Sequence, residues 1–159
     1  MLTVTLPWPV SANVYWRTRV VKGVAMTYVS GEAKAFKSDV MHLLRAAGCT
    51  KPLAGRVAVA LTLYPHRPQD WQKRQRKLGA AWDDGVRSID LDNAIKVTLD
   101  AMKGVAFEDD VWVRRILAER AEPDGEARLV VSITQIDTPA PQAALALPVL
   151  QSFFDPLEV

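Results

Sequence analysis

The chain has 159 residues, 49% of them hydrophobic, and a formal net charge of +2, which fits one domain with its own core. It has no apolar run near the ~20 residues that span a bilayer, and its N-terminus lacks the basic segment and cleavage site of a signal peptide. One cysteine excludes an internal disulfide, and together with two histidines it gives no zinc-site spacing. We therefore expect a cytoplasmic protein that does not contact membranes.

The charge is unevenly distributed along the chain. All 20 lysine and arginine residues lie at or before Arg128, whereas residues 137–159 carry only Asp137, Asp155 and Glu158 as charged groups. A basic body suits a polyanionic partner such as nucleic acid, although it does not prove one.

The first half of the chain predicts a strand and a helix separated by an irregular segment. Residues 2–6 alternate apolar and polar side chains, which favours a strand, and the prolines of residues 7–9 end it. Residues 10–29 predict a long loop or an irregular hairpin. Ser30 is a suitable N-cap for a helix that runs to about residue 47 and ends at Gly48.

The second half predicts a strand, a helix and two further strands. Residues 57–64 alternate and are β-branched, and residues 90–103 have the spacing of a helix. Residues 111–119 and 128–136 predict two strands joined by a turn around Pro123. The order β-α-β-α-β-β predicts an α+β fold, a small mixed sheet with two helices packed on one face.

The composition changes near the C-terminus. Residues 138–159 are rich in proline and alanine, which predicts a flexible tail after a domain of residues 1–137. Phe153 and Phe154 form an apolar island in this tail. They suggest docking on a partner subunit or a short motif for another protein.

Two groups of acidic residues suggest a catalytic site. Asp90 and Asp92 lie one residue apart where the second helix begins, with Lys96 one turn further, and residues 108–110 (Glu-Asp-Asp) follow. Carboxylates that converge repel each other unless a cation neutralises them, and a hard divalent cation with oxygen ligands does this. Such a site predicts metal-assisted chemistry on a phosphodiester.

A non-catalytic interpretation of the same residues remains open. Asp90 can cap the helix, Asp92 can pair with Lys96 four residues later, and the second acidic group can be a solvated turn. The spacing alone does not choose between capping and catalysis.

The polar insertion at residues 65–88 also has two interpretations. Residues 71–77 (Trp-Gln-Lys-Arg-Gln-Arg-Lys), followed by Trp82, combine cations with indoles, as phosphate contact and base stacking require. A solvated helical face anchored by two tryptophans has the same pattern. Arg17 and Arg19 form a second basic patch.

The chain resembles the RusA-like Holliday junction resolvases, small endonucleases of bacteria and prophages. The resemblance covers roughly residues 2–136 and lies in four ordered motifs. These are Leu6-Pro7-Trp8-Pro9 with Ser11, Asn13 and Tyr15; Val29-Ser30-Gly31-Glu32-Ala33; Asp90-Leu91-Asp92-Asn93 with Lys96 and Asp100; and Phe107-Glu108-Asp109-Asp110 with Val111.

The resemblance implies a homodimer that binds branched DNA, the four-way junction, and nicks two opposed strands symmetrically in recombination and repair. It implies Mg²⁺ as cofactor, with Mn²⁺ as a substitute. The implied metal ligands are Asp90, Asp92 and Asp110, with Asp109 beside them, and Lys96 is implied in cleavage. The candidate DNA-binding residues are Arg17, Arg19, Lys73, Arg74, Arg76, Lys77, Arg87 and Asn93.

Two alternatives remain beside the junction resolvase. A broader branched-DNA or flap nuclease would use the same metal site. A non-catalytic DNA-binding module would use the acidic residues only as caps and turns. Metal dependence of strand cutting discriminates between catalysis and binding alone.

Overall fold

The computed structural model describes residues 1–138, which form six strands, four α-helices and two short 3-10 turns. The 3-10 turns cover Gly79–Ala81 and Asp110–Trp112. The main elements are β1 (Leu2–Pro7), α1 (Ala12–Tyr15), β2 (Trp16–Val21), β3 (Val24–Val29), α2 (Gly31–Ala46), β4 (Val57–Tyr64), α3 (Trp71–Leu78), α4 (Leu91–Met102), β5 (Val113–Arg120) and β6 (Arg128–Gln135).

Four strands form one mixed sheet in the order β1-β6-β4-β5. β6 pairs antiparallel with both β1 and β4, whereas β4 and β5 are parallel. Alternate residues of β1, β4 and β6 are buried on one face, and α2 and α4 pack against that face. The predicted α+β class and the two helices on one face are therefore confirmed.

The predicted turn after β5 does not join sheet neighbours. β5 and β6 lie on opposite sides of β4, so the connection at residues 121–127 passes an intervening strand. A local turn signal predicts a reversal of the chain, but pairing partners depend on contacts that are distant in sequence.

The segment predicted as a loop or irregular hairpin contains α1 followed by the hairpin of β2 and β3. The two residues between the strands, Lys22 and Gly23, both have positive φ, 52° and 79°. This backbone twist matches paired strands and is easy for glycine. Most of the hairpin is exposed, since β2 and β3 pair only with each other among the described residues.

Helix boundaries follow the capping residues. Ser30 Oγ accepts a hydrogen bond from the Ala33 amide at 3.1 Å, as the sequence predicts for an N-cap. α4 ends where Gly104 adopts φ 75°, and the Gly104 amide donates to the Phe107 carbonyl at 2.8 Å. This turn brings the second acidic group back toward the end of α4. No helix in residues 1–138 is long and apolar enough to cross a membrane.

Candidate active site

The N-terminus of α4 presents two carboxylates, those of Asp90 and Asp92. Asp90 occupies the N-cap position with extended backbone, φ −66° and ψ 142°, but its side chain makes no capping hydrogen bond. Asp92, in the first turn, is exposed. In residues 1–138 neither carboxylate has a hydrogen-bond or ion-pair partner, so both are available to an external ligand.

Lys96 does not pair with Asp92. Its ammonium lies 4.7 Å from the centroid of the Trp16 ring, a distance that permits a cation–π interaction. Trp16 in turn packs against Tyr15, with ring centroids 4.3 Å apart. The positive charge of Lys96 is therefore held at the base of the hairpin, on the face of α4 that carries Asp92.

The second acidic group is organised by Lys103. Its ammonium lies 2.8 Å from Asp109 Oδ2 and 3.2 Å from Asp110 Oδ1. Asp109 also accepts a hydrogen bond from the Val111 amide at 3.1 Å. The bond from Lys103 holds the pKa of Asp109 well below its usual range, and the two carboxylates raise the pKa of Lys103. The turn is thus fixed by an ion pair.

The two acidic groups lie at opposite ends of α4. The helix has 12 residues, a length of roughly 18 Å at 1.5 Å per residue. Asp90 precedes its first residue, whereas Asp109 and Asp110 contact Lys103, which follows its last. Within residues 1–138 no three His, Cys, Asp or Glu side chains are grouped to hold a metal ion. The convergence expected from the sequence does not occur within one protomer.

A polar cluster supports the last turn of α4, where Asp100 lies. Tyr15, which is fully buried, donates a hydrogen bond to Asp100 Oδ2, and Lys37 lies 2.9 Å from the same oxygen. Burial, with the nearby Asp100 charge, raises the pKa of Tyr15. Burial alone would raise the pKa of Asp100, but the bonds from Tyr15 and Lys37 outweigh it and lower that pKa. The cluster ties α1 and α2 to α4.

Sequence reasoning did not assign this cluster or the contacts of Lys103 to the site. Asp100 belongs to a motif in the sequence, but nothing local pairs it with Tyr15, which lies 85 residues away. The sequence could have indicated that Lys103 belongs to the site, because this residue shares the helix face of Asp92 and Lys96.

The basic residues of the hairpin are exposed on one of its faces. Arg17 and Arg19 alternate along β2, and the Arg19 guanidinium lies 5.4 Å from the Tyr28 ring centroid. Val24 and Met26 of β3 are also exposed on this face. The arginines of this face can bind a polyanion. The exposed apolar residues near the hairpin tip can pack against an apolar surface.

The insertion contains two tryptophans, Trp71 at the start of α3 and Trp82 after the 3-10 turn that follows this helix. Trp82 is 2% exposed and its Nε1 donates to Glu122 at 2.8 Å. Trp71 packs against Trp82 and under the Arg67 guanidinium. The tryptophans therefore anchor the insertion. The cations available for phosphate contact here are Lys73, Arg74, Arg76 and Lys77, of which Arg74 is paired with Asp70 at 2.8 Å.

A cleft of about 850 Å³ opens beside Asp90. Asn93 and Arg87 line it with Asp90, so these two candidate DNA-binding residues lie next to the acidic N-terminus of α4. Arg87 is exposed and Asn93 is half-buried.

The family model for Endodeoxyribonuclease RusA matches residues 7–134. The chain belongs to the RusA family. RusA relatives include the crossover junction endodeoxyribonucleases RusA of Escherichia coli K12 and of E. coli CFT073, each 28% identical over 135 residues. RusA of Shigella sonnei Ss046 is 27% identical over the same length. Each alignment covers 84% of this chain and 94% of the relative.

The RusA match includes every candidate site residue and the Tyr15–Asp100 cluster, but not the C-terminal tail. The predicted docking or motif role of Phe153 and Phe154 lies outside the described residues, as does all of the tail beyond Thr138.

Proposed function

We propose that the chain is a structure-specific endodeoxyribonuclease that resolves four-way DNA junctions by paired, symmetric nicks. The RusA family match over residues 7–134 carries this proposal, and the relatives are named crossover junction endodeoxyribonucleases. The basic body of the chain suits a DNA substrate, and the free thiol of Cys49 suits the cytoplasm.

The proposed cofactor is Mg²⁺, which Mn²⁺ can replace. Asp90 and Asp92 supply unpartnered oxygen ligands of the kind that hard cations prefer, whereas a structural cap would engage its carboxylate. These two carboxylates would hold the ion, which would supply a water of lowered pKa and positive charge beside the scissile phosphate. Lys96 adds a fixed positive charge near the phosphate, and Asn93 orients the substrate.

We infer that the third carboxylate comes from a second protomer. Asp110 contacts Lys103, which follows the last residue of α4, and within residues 1–138 it does not group with Asp90 and Asp92 to hold a metal ion. In a C₂ homodimer, antiparallel α4 helices would bring the N-terminus of one against the Lys103 end of the other. Two such composite sites match a junction with two equivalent strands to cut.

The basic test is cleavage of a synthetic four-way junction, resolved on a denaturing gel. We expect two symmetric nicks with Mg²⁺, none with EDTA, and none on linear duplex of the same sequence. Equal cutting of a flap substrate would favour the broader branched-DNA nuclease. Junction binding without cutting in any divalent metal would favour the non-catalytic module.

Mixed dimers test whether the site is shared. Asp92→Asn and Asp110→Asn protomers, co-expressed with different tags and purified through both, should form dimers with one intact site. These should nick one strand. The matched control is the Asp90→Asn with Asp92→Asn mixture, in which both sites carry a defect and nicking should stay absent. Inactivity of both mixtures would place all three carboxylates in one protomer.

A further inference from the structure

The cleft beside Asp90 has two walls from separate parts of the chain. Residues 8–14, which follow β1, form one wall, and residues 66–88 of the insertion supply most of the other. Asp90 and Asn93, at the start of α4, also line the cleft. The cleft therefore lies directly beside the Asp90 carboxylate.

The lining contains three kinds of side chain that a nucleotide can use, beside the acidic Glu32 and Asp90. Trp8 and Val10 provide an apolar surface, Arg87 and the Asp70-paired Arg74 provide positive charge, and Asn13 provides an amide. A nucleotide needs these three features, because its base stacks on aromatic surface, its phosphate attracts cations and its edge exchanges hydrogen bonds. The volume, about 850 Å³, lies within the usual range of small-ligand sites, roughly 300–1,000 Å³.

The insertion wall is fixed to the body of the protein. Trp82 is buried and bonded to Glu122, and Arg120 donates to the Asp83 carbonyl at 2.6 Å. At the other end, the Arg67 amide donates to the Gly125 carbonyl at 2.8 Å. A wall held at both ends keeps the cleft open before DNA arrives, so binding there requires little ordering of the protein.

We propose that this cleft receives one unstacked nucleotide of the junction, next to the phosphate to be cut, and that Asn13 reads the edge of its base. The proposal rests on the proposed function, because it needs a DNA strand at Asp90. A four-way junction offers nucleotides at its centre that unpair at lower cost than those within a duplex. Reading one of them would make the cutting rate depend on sequence.

Photocrosslinking in EDTA locates the nucleotide without any strand being cut. A junction carries 5-iodouracil at one position at a time around its centre, and crosslinked peptides are identified by mass spectrometry. We expect the position adjacent to the cut phosphate to crosslink to Trp8. Crosslinks confined to residues outside the cleft would overturn the proposal.

A variant that fills the cleft tests whether the crosslink depends on the cleft. Gly85 lines the cleft, lacks a positive φ and has no atom within 4 Å of a built Cβ. Gly85→Phe should therefore reduce the Trp8 crosslink at least tenfold while junction affinity stays within about threefold. Ala46→Phe, at the exposed end of α2, adds the same ring elsewhere and should change neither. An undiminished crosslink in Gly85→Phe contradicts the proposal.

Sequence preference gives a second readout. Cutting rates are measured on a set of junctions that differ only in the central nucleotide. Wild type should discriminate among them, and Asn13→Ala should reduce the discrimination at least fivefold. Unchanged discrimination overturns the role of Asn13. If wild type neither binds nor cuts junctions, the proposed function fails as well, whereas normal cutting without a Trp8 crosslink removes this inference alone.

Discussion

Lys96 lies against the face of Trp16, 4.7 Å from its ring centroid, and within residues 1–138 Asp92, four residues earlier on the same helix, has no ion-pair partner. The contact joins α4 to the start of β2. It separates the positive charge from the carboxylate that would otherwise neutralise it, so both remain available to a phosphate and its metal.

Lys96→Ala should lower the rate of strand cutting by about 10²–10³, the usual loss when one group that stabilises transition-state charge is removed. Junction affinity should fall much less, because this charge acts mainly on the transition state. Single-turnover cleavage and equilibrium binding measure the two effects. Equal losses in rate and affinity would make Lys96 an ordinary phosphate contact. Trp16→Leu, which keeps the lysine but removes its platform, should give a smaller loss of rate.

Asp90→Asn, Asp92→Asn and Asp110→Asn should each abolish cutting in Mg²⁺, because each removes a charged ligand. Junction binding should stay the same or tighten, since a negative charge near phosphates is lost. Cleavage and binding assays on the same junction test both parts. Asp39→Asn, an exposed aspartate on α2, controls for the change in net charge and should cut normally. Near wild-type cutting by all three variants would show that the site is misassigned.

Replacing Lys73, Arg74, Arg76 and Lys77 with glutamine should weaken junction binding and reduce its salt dependence. Each lost phosphate contact lowers the slope of log K against log salt by about 0.9. Binding measured across a salt series gives this slope. An Arg45→Gln, Lys51→Gln double variant controls for a general loss of positive charge. If the quadruple variant keeps the wild-type slope, these four side chains do not contact phosphates and form only a solvated face of α3.

Tyr15→Phe should destabilise the protein by about 1–3 kcal/mol, because it removes a buried hydrogen bond to a charged group. Thermal or urea unfolding measures the change. Lys37→Met should cost less, about 1 kcal/mol or below, since the Lys37–Asp100 pair is partly exposed. Equal stability of Tyr15→Phe and wild type would mean that the buried hydroxyl contributes nothing.

Truncation at Asp137 should leave cutting intact. The removed segment has no positive charge and carries Asp155 and Glu158, which DNA repels. Cleavage rate and dimer mass, measured on the truncated and full chains, test this. A folded, dimeric truncation that no longer cuts would show that the tail helps to form the active site.

The sequence predicted elements whose signals are local. β4 begins and ends as its alternation indicates, because each buried residue of this strand is followed by a half-buried one. α2 begins after Ser30 because the cap lies within three residues of the bond it accepts. Such features depend on neighbours in the chain, and a single sequence displays them.

Contacts between distant segments could not be predicted in this way. The helical wheel pairs Lys96 with Asp92, but Trp16, 80 residues earlier, competes for the ammonium. The turn near Pro123 indicates a reversal, yet β5 pairs with β4 and not with β6. The sequence shows both acidic groups, Asp90 with Asp92 and residues 108–110. Their positions at different ends of α4 depend on where residues 103–110 fold back, which the sequence does not show.

The length of α4 has a consequence for how cutting depends on protein concentration. A lone protomer holds Asp90 and Asp92 at one end of this helix and Asp110 near the other, so under the shared-site proposal it cannot break DNA. At concentrations well below the dimer dissociation constant, cutting should rise with the square of the protomer concentration. Dilution alone would then abolish cutting, and a junction bound by a single protomer would stay intact.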